Sequence, residues 1–408
     1  MSILGIPVLI HRINRPYYYY YYILFKTKDF ASPDQRRKSM KFRCNQQVLS
    51  KALNTVSKAV SNRTTLPVLK GILMTAREGS LLLTASDLDI SITRQIDAVV
   101  EEEGSVVVMA RLFGDIIRKL PNEEITIEQE EDNVKISTIS SEFTVISLPP
   151  EEFPETGKRE ENDHTISIDK EILRNMIRKT GFAASIEESK GVLTGILTEI
   201  KPEEMTMVAL DGFRLALANE PMKSEKEEKF IISAKIMNEI GRIIGEEDEE
   251  DDLLIHLGKK RAVVQTGKTE VVMRIMEGEF IRYREIIPTD STTKIIIGRE
   301  LFQGSMERAS LLSREGKNNL VKLVIKGDLL TITSRSEEGN VKEEIAIDKE
   351  GEDLEIGFNS KYIMDVLKEI DEEKISLHLK TSVTPCVVRP TEGNRYEYLI
   401  LPVRIPTM

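Results

Sequence analysis

Three short segments of this chain open a helix-like stretch with a small residue, a cation and two large apolar residues. They are Ala110-Arg111-Leu112-Phe113, Ala234-Lys235-Ile236-Met237 and Ser360-Lys361-Tyr362-Ile363. The steps from Arg111 to Lys235 to Lys361 are 124 and 126 residues. A second pattern keeps nearly the same period: an alternating, strand-like entry at Phe42, Ile166 and Ile295 leads into a helix at steps of 124 and 129. A period this long is a whole domain rather than a solenoid unit. The chain therefore reads as three copies of one domain, at 40–161, 162–288 and 289–408.

Each copy alternates helix, strands, helix, strands. Gln46 to Asn62 carries an apolar stripe of helical period, from Val48 and Leu49 to Ala59 and Val60. Pro67 follows, and the residue before a proline avoids the helical region. Arg111 to Leu120, Asp169 to Ala184 (with Asp169 as N-cap), Ala234 to Ile244 (capped by Ser233), Arg299 to Arg314 and Asn359 to Ile370 supply the other helices. Between them lie alternating segments such as Ile125-Thr126-Ile127 and Phe143-Thr144-Val145-Ile146. Hairpins turn at Gly267-Lys268 and Gly327-Asp328. The fold class is α+β with antiparallel sheets.

Residues 1–39 differ from the rest, with six tyrosines at Tyr17 to Tyr22 and a basic Arg36-Arg37-Lys38. The apolar stretch Ile3 to Ile10 is too short to span a bilayer, and it lacks a basic leader and a cleavage site. This segment reads as an appendage, disordered or produced by a start set too early, with the working protein beginning at Met40.

Two cysteines, Cys44 and Cys386, exclude a disulfide scaffold and fit a reducing compartment. The net charge of −11 taken alone argues against nucleic acid, and the absence of Trp argues against stacking platforms for single strands. The distribution of charge says more. The six helical spans hold sixteen Lys and Arg against eight Asp and Glu, so the helices are cationic in an anionic chain. Helices sharing one surface would make that surface attract phosphates.

No catalytic constellation emerges from the residues. Gly267-Lys268-Thr269 resembles the end of a phosphate-binding loop, but Ala262 stands where the first glycine belongs. Asp87, Asp89 and Asp211 could hold a metal, though turn formation accounts for them better. The acidic run Glu246 to Asp252 lacks the spacing of a calcium loop. The four histidines form no ligand pair, so no metal and no cofactor is expected.

Taken together, several motifs resemble those of the bacterial DNA sliding clamp, the beta subunit of DNA polymerase III. They are Arg63-Thr64-Thr65-Leu66-Pro67-Val68-Leu69, Ser86-Asp87-Leu88-Asp89, Leu148-Pro149-Pro150-Glu151-Glu152-Phe153-Pro154, Asp211-Gly212-Phe213-Arg214-Leu215-Ala216 and Tyr398-Leu399-Ile400-Leu401-Pro402-Val403-Arg404-Ile405. The resemblance spans Met40 to Ile405. It implies three clamp domains per chain, a head-to-tail homodimer closed into a ring, twelve helices lining a hole for duplex DNA, and sheets outside. The function implied is that of a non-catalytic processivity factor in the bacterial cytoplasm, nucleoid-associated during replication. Partners would be the polymerase III catalytic subunit, the clamp loader, and repair and translesion polymerases carrying short linear motifs.

With the helices lining the hole, the cations facing DNA would be drawn from Lys51, Lys58, Arg63, Arg111, Arg118, Arg174, Arg178, Lys235, Arg242, Arg308 and Lys361. Carried over by position from the family, the partner-peptide pocket would be lined by Leu193, Leu210, Gly212, Phe213, Arg214, Leu215, Ile281, Ile286, Leu399, Ile400, Leu401 and Pro402. Phe213 stands where His is commoner in the family, Ile281 where Pro is, and Leu210 where Thr is. The dimer seam would set Phe143 and Val145 against Leu311 and Leu312. Two other classes stand beside this reading: a metal-dependent nucleic-acid hydrolase at Asp87, Asp89 and Asp211, and a structural repeat protein without DNA.

Overall fold

A computed structural model of the chain describes residues 40–61, 64–157, 159–160, 163–246, 253–315 and 319–405. The appendage, Arg63, most of the acidic run and Pro406 to Met408 lie outside the described residues. Six α-helices are present among the described residues: α1 (Gln46–Val56), α2 (Ala110–Lys119), α3 (Lys170–Gly181), α4 (Ala234–Glu246), α5 (Arg299–Glu315) and α6 (Ser360–Lys368). They pack in pairs, α1 on α2, α3 on α4 and α5 on α6, one pair per repeat. None is long and apolar enough to cross a membrane.

The helix starts follow from local chemistry. The Asn45 carboxamide accepts from the Gln47 and Val48 amides, and the Asp169 carboxylate accepts from Glu171 and Ile172. Asn359 caps α6 through Lys361. The first helix is shorter than its apolar stripe: after Val56 the chain tightens into a 3₁₀ turn, Ser57–Ala59, which carries Ala59 into the core. Both hairpins form as expected, with Gly267 and Gly327 at positive φ.

Strands from successive repeats join edge to edge. Strand Ile90–Asp97 of the first repeat pairs with Thr269–Arg274 of the second. Strand Arg214–Pro221 of the second pairs with Tyr396–Ile400 of the third. These two joints produce one sheet of thirteen strands and one of nine, and a four-stranded sheet remains at the far end. Every pairing is antiparallel. Each repeat folds its sheets over its own pair of helices, with Leu49, Phe113, Ile177, Ile240, Phe302 and Val366 buried between.

The helices meet at the same joints. Lys58, just after α1, contacts Glu246 at the end of α4 at 2.5 Å. Arg178 of α3 reaches Glu369 and Asp371, beyond α6, at 3.4 and 2.5 Å. Helices of neighbouring repeats therefore lie on one continuous face and the joined sheets on the other.

Candidate nucleic-acid and partner interfaces

The candidate cations divide by environment. Lys51, Arg111, Arg174, Lys235, Arg242 and Lys361 stand exposed on the helical face, as does Arg118. Arg118, Arg174 and Arg242 each bind a carboxylate three residues earlier on their own helix, Asp115, Glu171 and Glu239, and remain largely in solvent. Lys58 and Arg178 are tied into the joints just described. Arg308 departs from the expectation: its guanidinium is bound to Glu343 at 2.6 Å and to the Ser305 hydroxyl at 3.0 Å. Glu343 belongs to the edge strand Gly339–Ala346. Arg308 therefore serves the end of the sheet, because its helical position turns it toward that strand. The same contact holds the Glu343 carboxyl below its usual range.

Most of the residues expected to line the pocket gather at the joint between the second and third repeats. Its floor is a small separate core of Leu197, Leu210, Leu215, Phe280, Tyr283 and Leu399, with Leu193 packed at its edge. Leu215 and Leu399 are register partners across the joint. Around this floor Phe213, Ile281, Ile286 and Leu401 are exposed, with Pro402 half-buried. Gly212, at φ +95°, lets the Asp211 carboxylate turn back onto the Phe213 and Arg214 amides at 2.8 and 3.0 Å. Leu401 N–H then donates to Phe213 C=O at 2.9 Å, fixing the two rim residues side by side.

Two expected lining residues point elsewhere. Strand alternation sends Ile400 into the helix-side core, away from Leu399. Arg214 likewise opposes Leu215. Only 9% exposed, its side chain binds Asp211 at 3.1 Å, Asp365 at 2.6 Å and the Phe182 carbonyl at 2.9 Å. Its guanidinium also lies over the Phe182 and Tyr362 rings. Arg214 is a clasp between the second and third repeats, not a free polar contact for a peptide. Sequence reasoning missed Tyr362, which stacks on Phe213, and Lys190, which donates to the Asp211 carbonyl at 3.1 Å. Neither lies near the motif in sequence.

Of the four seam residues, Phe143 and Leu311 are exposed, Leu312 is half-buried and Val145 is buried. Two of the three aspartates of the hydrolase reading are committed to turns: Asp87 accepts from the Asp89 and Ile90 amides, as Asp211 does from Phe213 and Arg214, while Asp89 lies exposed beside Arg274 at 3.8 Å. Among the described residues, no group of three His, Cys, Asp or Glu converges to hold a metal.

Family models match all three repeats: DNA polymerase III beta subunit N-terminal domain over 40–157, central domain over 167–281 and C-terminal domain over 284–404. The chain is 36% identical to the beta sliding clamp of Staphylococcus epidermidis over 377 residues, covering 90% of this chain and 99% of that one. The DNA polymerase sliding clamp of Bacillus subtilis superposes with a TM-score of 0.86 at 33% identity, over 90% of this chain and 100% of that one. A Pseudomonas aeruginosa sliding clamp bound to griselimycin gives 0.84 at 28%, with the same coverage. With three matched domains, in one order and over the full length of its relatives, the chain belongs to the DNA polymerase III beta subunit family, the non-catalytic sliding clamps that serve DNA replication as processivity factors.

Proposed function

We propose that two copies close head to tail into a ring around duplex DNA, with the helical face inward. One observation carries this reading. Both internal joints are built alike, and each turns the chain by one repeat. A third joint of the same kind needs strand Gly339–Ala346, which has no neighbour on its outer side among the described strands, and strand Glu142–Leu148 of another copy. Two unlike ends on one chain make a heterologous contact, which closes after two subunits if each spans half a turn. The cations on α1 to α6 then meet phosphates without reading bases, which permits sliding. Sedimentation tests this directly: a species of twice the 46.3 kDa chain mass is expected at micromolar concentration. A monomer, or an open series of growing oligomers, would overturn it.

Polymerases and other replication partners are held through the apolar patch at the second joint. A short peptide of the form Gln-Leu-x-Leu-Phe should bind there with micromolar strength, about −8 kcal/mol. Exposed Phe213, Ile281, Ile286 and Leu401 over a buried apolar floor suit leucine and phenylalanine anchors. The griselimycin complex of the Pseudomonas aeruginosa clamp supports ligand binding to this fold. Leu215 is a poor probe because it is core. Leu401→Ser and Ile286→Ser should each weaken a fluorescent peptide about tenfold with the dimer intact. Unchanged binding in both would remove the site. Deleting Leu399 onward would instead cut the joint strand itself.

A further inference from the structure

The two internal joints specify how the third one pairs, residue by residue. In the first repeat a rung of register partners runs across the sheet from Val107 to Leu73, Thr84 and Thr93, and ends at Glu270 of the second repeat. The same rung in the second repeat runs from Ile231 to Leu197, Val208 and Leu217, and ends at Glu397 of the third. In the third repeat it runs from Gly357 to Lys322, Thr333 and Lys342, where the described sheet stops. Val107, Ile231 and Gly357 each precede a helix cation, Arg111, Lys235 or Lys361, by four residues.

The receiving strand is placed by the same count. Met276 N–H donates to Ile231 C=O and Val403 N–H to Gly357 C=O, and Leu148 pairs with Val107. Six residues before Met276, Val403 and Leu148 stand Glu270, Glu397 and Glu142. The joints also share their end bonds. Arg274 donates to Asp89 and Leu401 to Phe213, both at 2.9 Å; Gln95 donates to Lys268 at 3.0 Å and Asn219 to Arg395 at 2.8 Å.

Resting on the ring reading, we propose that closure sets the partner's Glu142 opposite Lys342, the partner's Phe143 opposite Val341, the partner's Thr144 opposite Asn340 and the partner's Val145 opposite Gly339. The amide of the partner's Ile146 then donates to the Glu338 carbonyl. The chemistry of both edges fits this register. Phe143 takes the place of Val271 and Tyr398, which face Ile92 and Ala216 as buried apolar pairs. An aromatic on Val341 continues that pattern. Ile146, 74% exposed on the single chain, takes the place of joint residues Arg274 and Leu401.

The charge pairing at this rung is specific to the seam. Glu270 and Glu397 face Thr93 and Leu217, and only Glu142 would face a cation. Glu142 and Lys342 are 62% and 63% exposed, held by Lys135 at 2.9 Å and Glu344 at 2.6 Å. Exposed pairs of this kind exchange at little cost. The internal joints place their ion pairs elsewhere, Lys268 with Asp97 at the first and Arg178 with Asp371 at the second, so an attractive pair at this rung marks the closing joint and favours subunit closure over mispairing of other edges.

Two measurements test the register. Thr144→Cys combined with Asn340→Cys should oxidise to a covalent dimer, while Thr144→Cys with Lys342→Cys should not. Native Cys44 and Cys386 are buried and do not compete. Glu142→Lys should weaken the dimer about tenfold, and adding Lys342→Glu should restore it. Cross-linking of the displaced pair, or no restoration by the double exchange in a chain that still dimerises, would overturn the register and leave the ring standing. A wild-type monomer would overturn the ring itself.

Discussion

The Arg214 guanidinium sits between two carboxylates and two aromatic rings, contributed by three different segments of the chain. Removing it leaves Asp365 facing a half-buried position without its partner, and breaking such a pair costs about 3 kcal/mol. Arg214→Ala should therefore lower unfolding stability by that order. It should also split a single urea transition into two as the third repeat loosens from the second. A single unchanged transition would show that the clasp is not needed. At the same scale, burial pushes the Cys44 and Cys386 thiols up to about 12, so neither forms a thiolate at neutral pH. The folded protein should resist alkylation at pH 8, and both thiols should react once urea is added. Rapid labelling of the native chain would contradict the packing around them.

The helices were the most legible elements, because their caps and apolar stripes are local. Asp169 announces a helix start in the sequence and performs that role in the structure, and Asn45 and Asn359, not singled out in the sequence, do the same at two other starts. The joints were not legible. Strand Ile90–Asp97 and its neighbour Thr269–Arg274 lie far apart along the chain, and alternation reveals which face a strand buries, not which strand lies beside it. That is why Arg308, read from a basic helix, looked like a pore cation: period gives the element, and only register gives the neighbour. Arg214 and Ile400 were placed in the pocket by their match to the family's positions, which does not show which way each side chain turns. The helical cations carry a prediction of their own. Changing Lys51, Arg174, Lys235 or Arg242 to Ala should weaken DNA association two- to fivefold each. The salt dependence should flatten by about one counterion, without preference for any sequence. Titrations over a salt series on two unrelated duplexes check this, and a sequence-dependent loss would contradict it.

For the whole molecule, the chain is anionic while its helices are cationic, so in the proposed ring the helical lining would attract phosphates more than the sheets outside it. Holding DNA by enclosure requires little affinity at any one contact, which suits a device that must slide. The central claim is therefore topological, and it separates from simple adhesion in one measurement. The protein is loaded by a clamp loader with ATP onto nicked circular duplex, and the complex is isolated by gel filtration. The DNA is then cut once with a restriction enzyme. The ring account predicts that the clamp stays with the circle through high salt and leaves after the cut, by sliding off the ends. Clamp that remains on the linear DNA, or that salt strips from the intact circle, would contradict it.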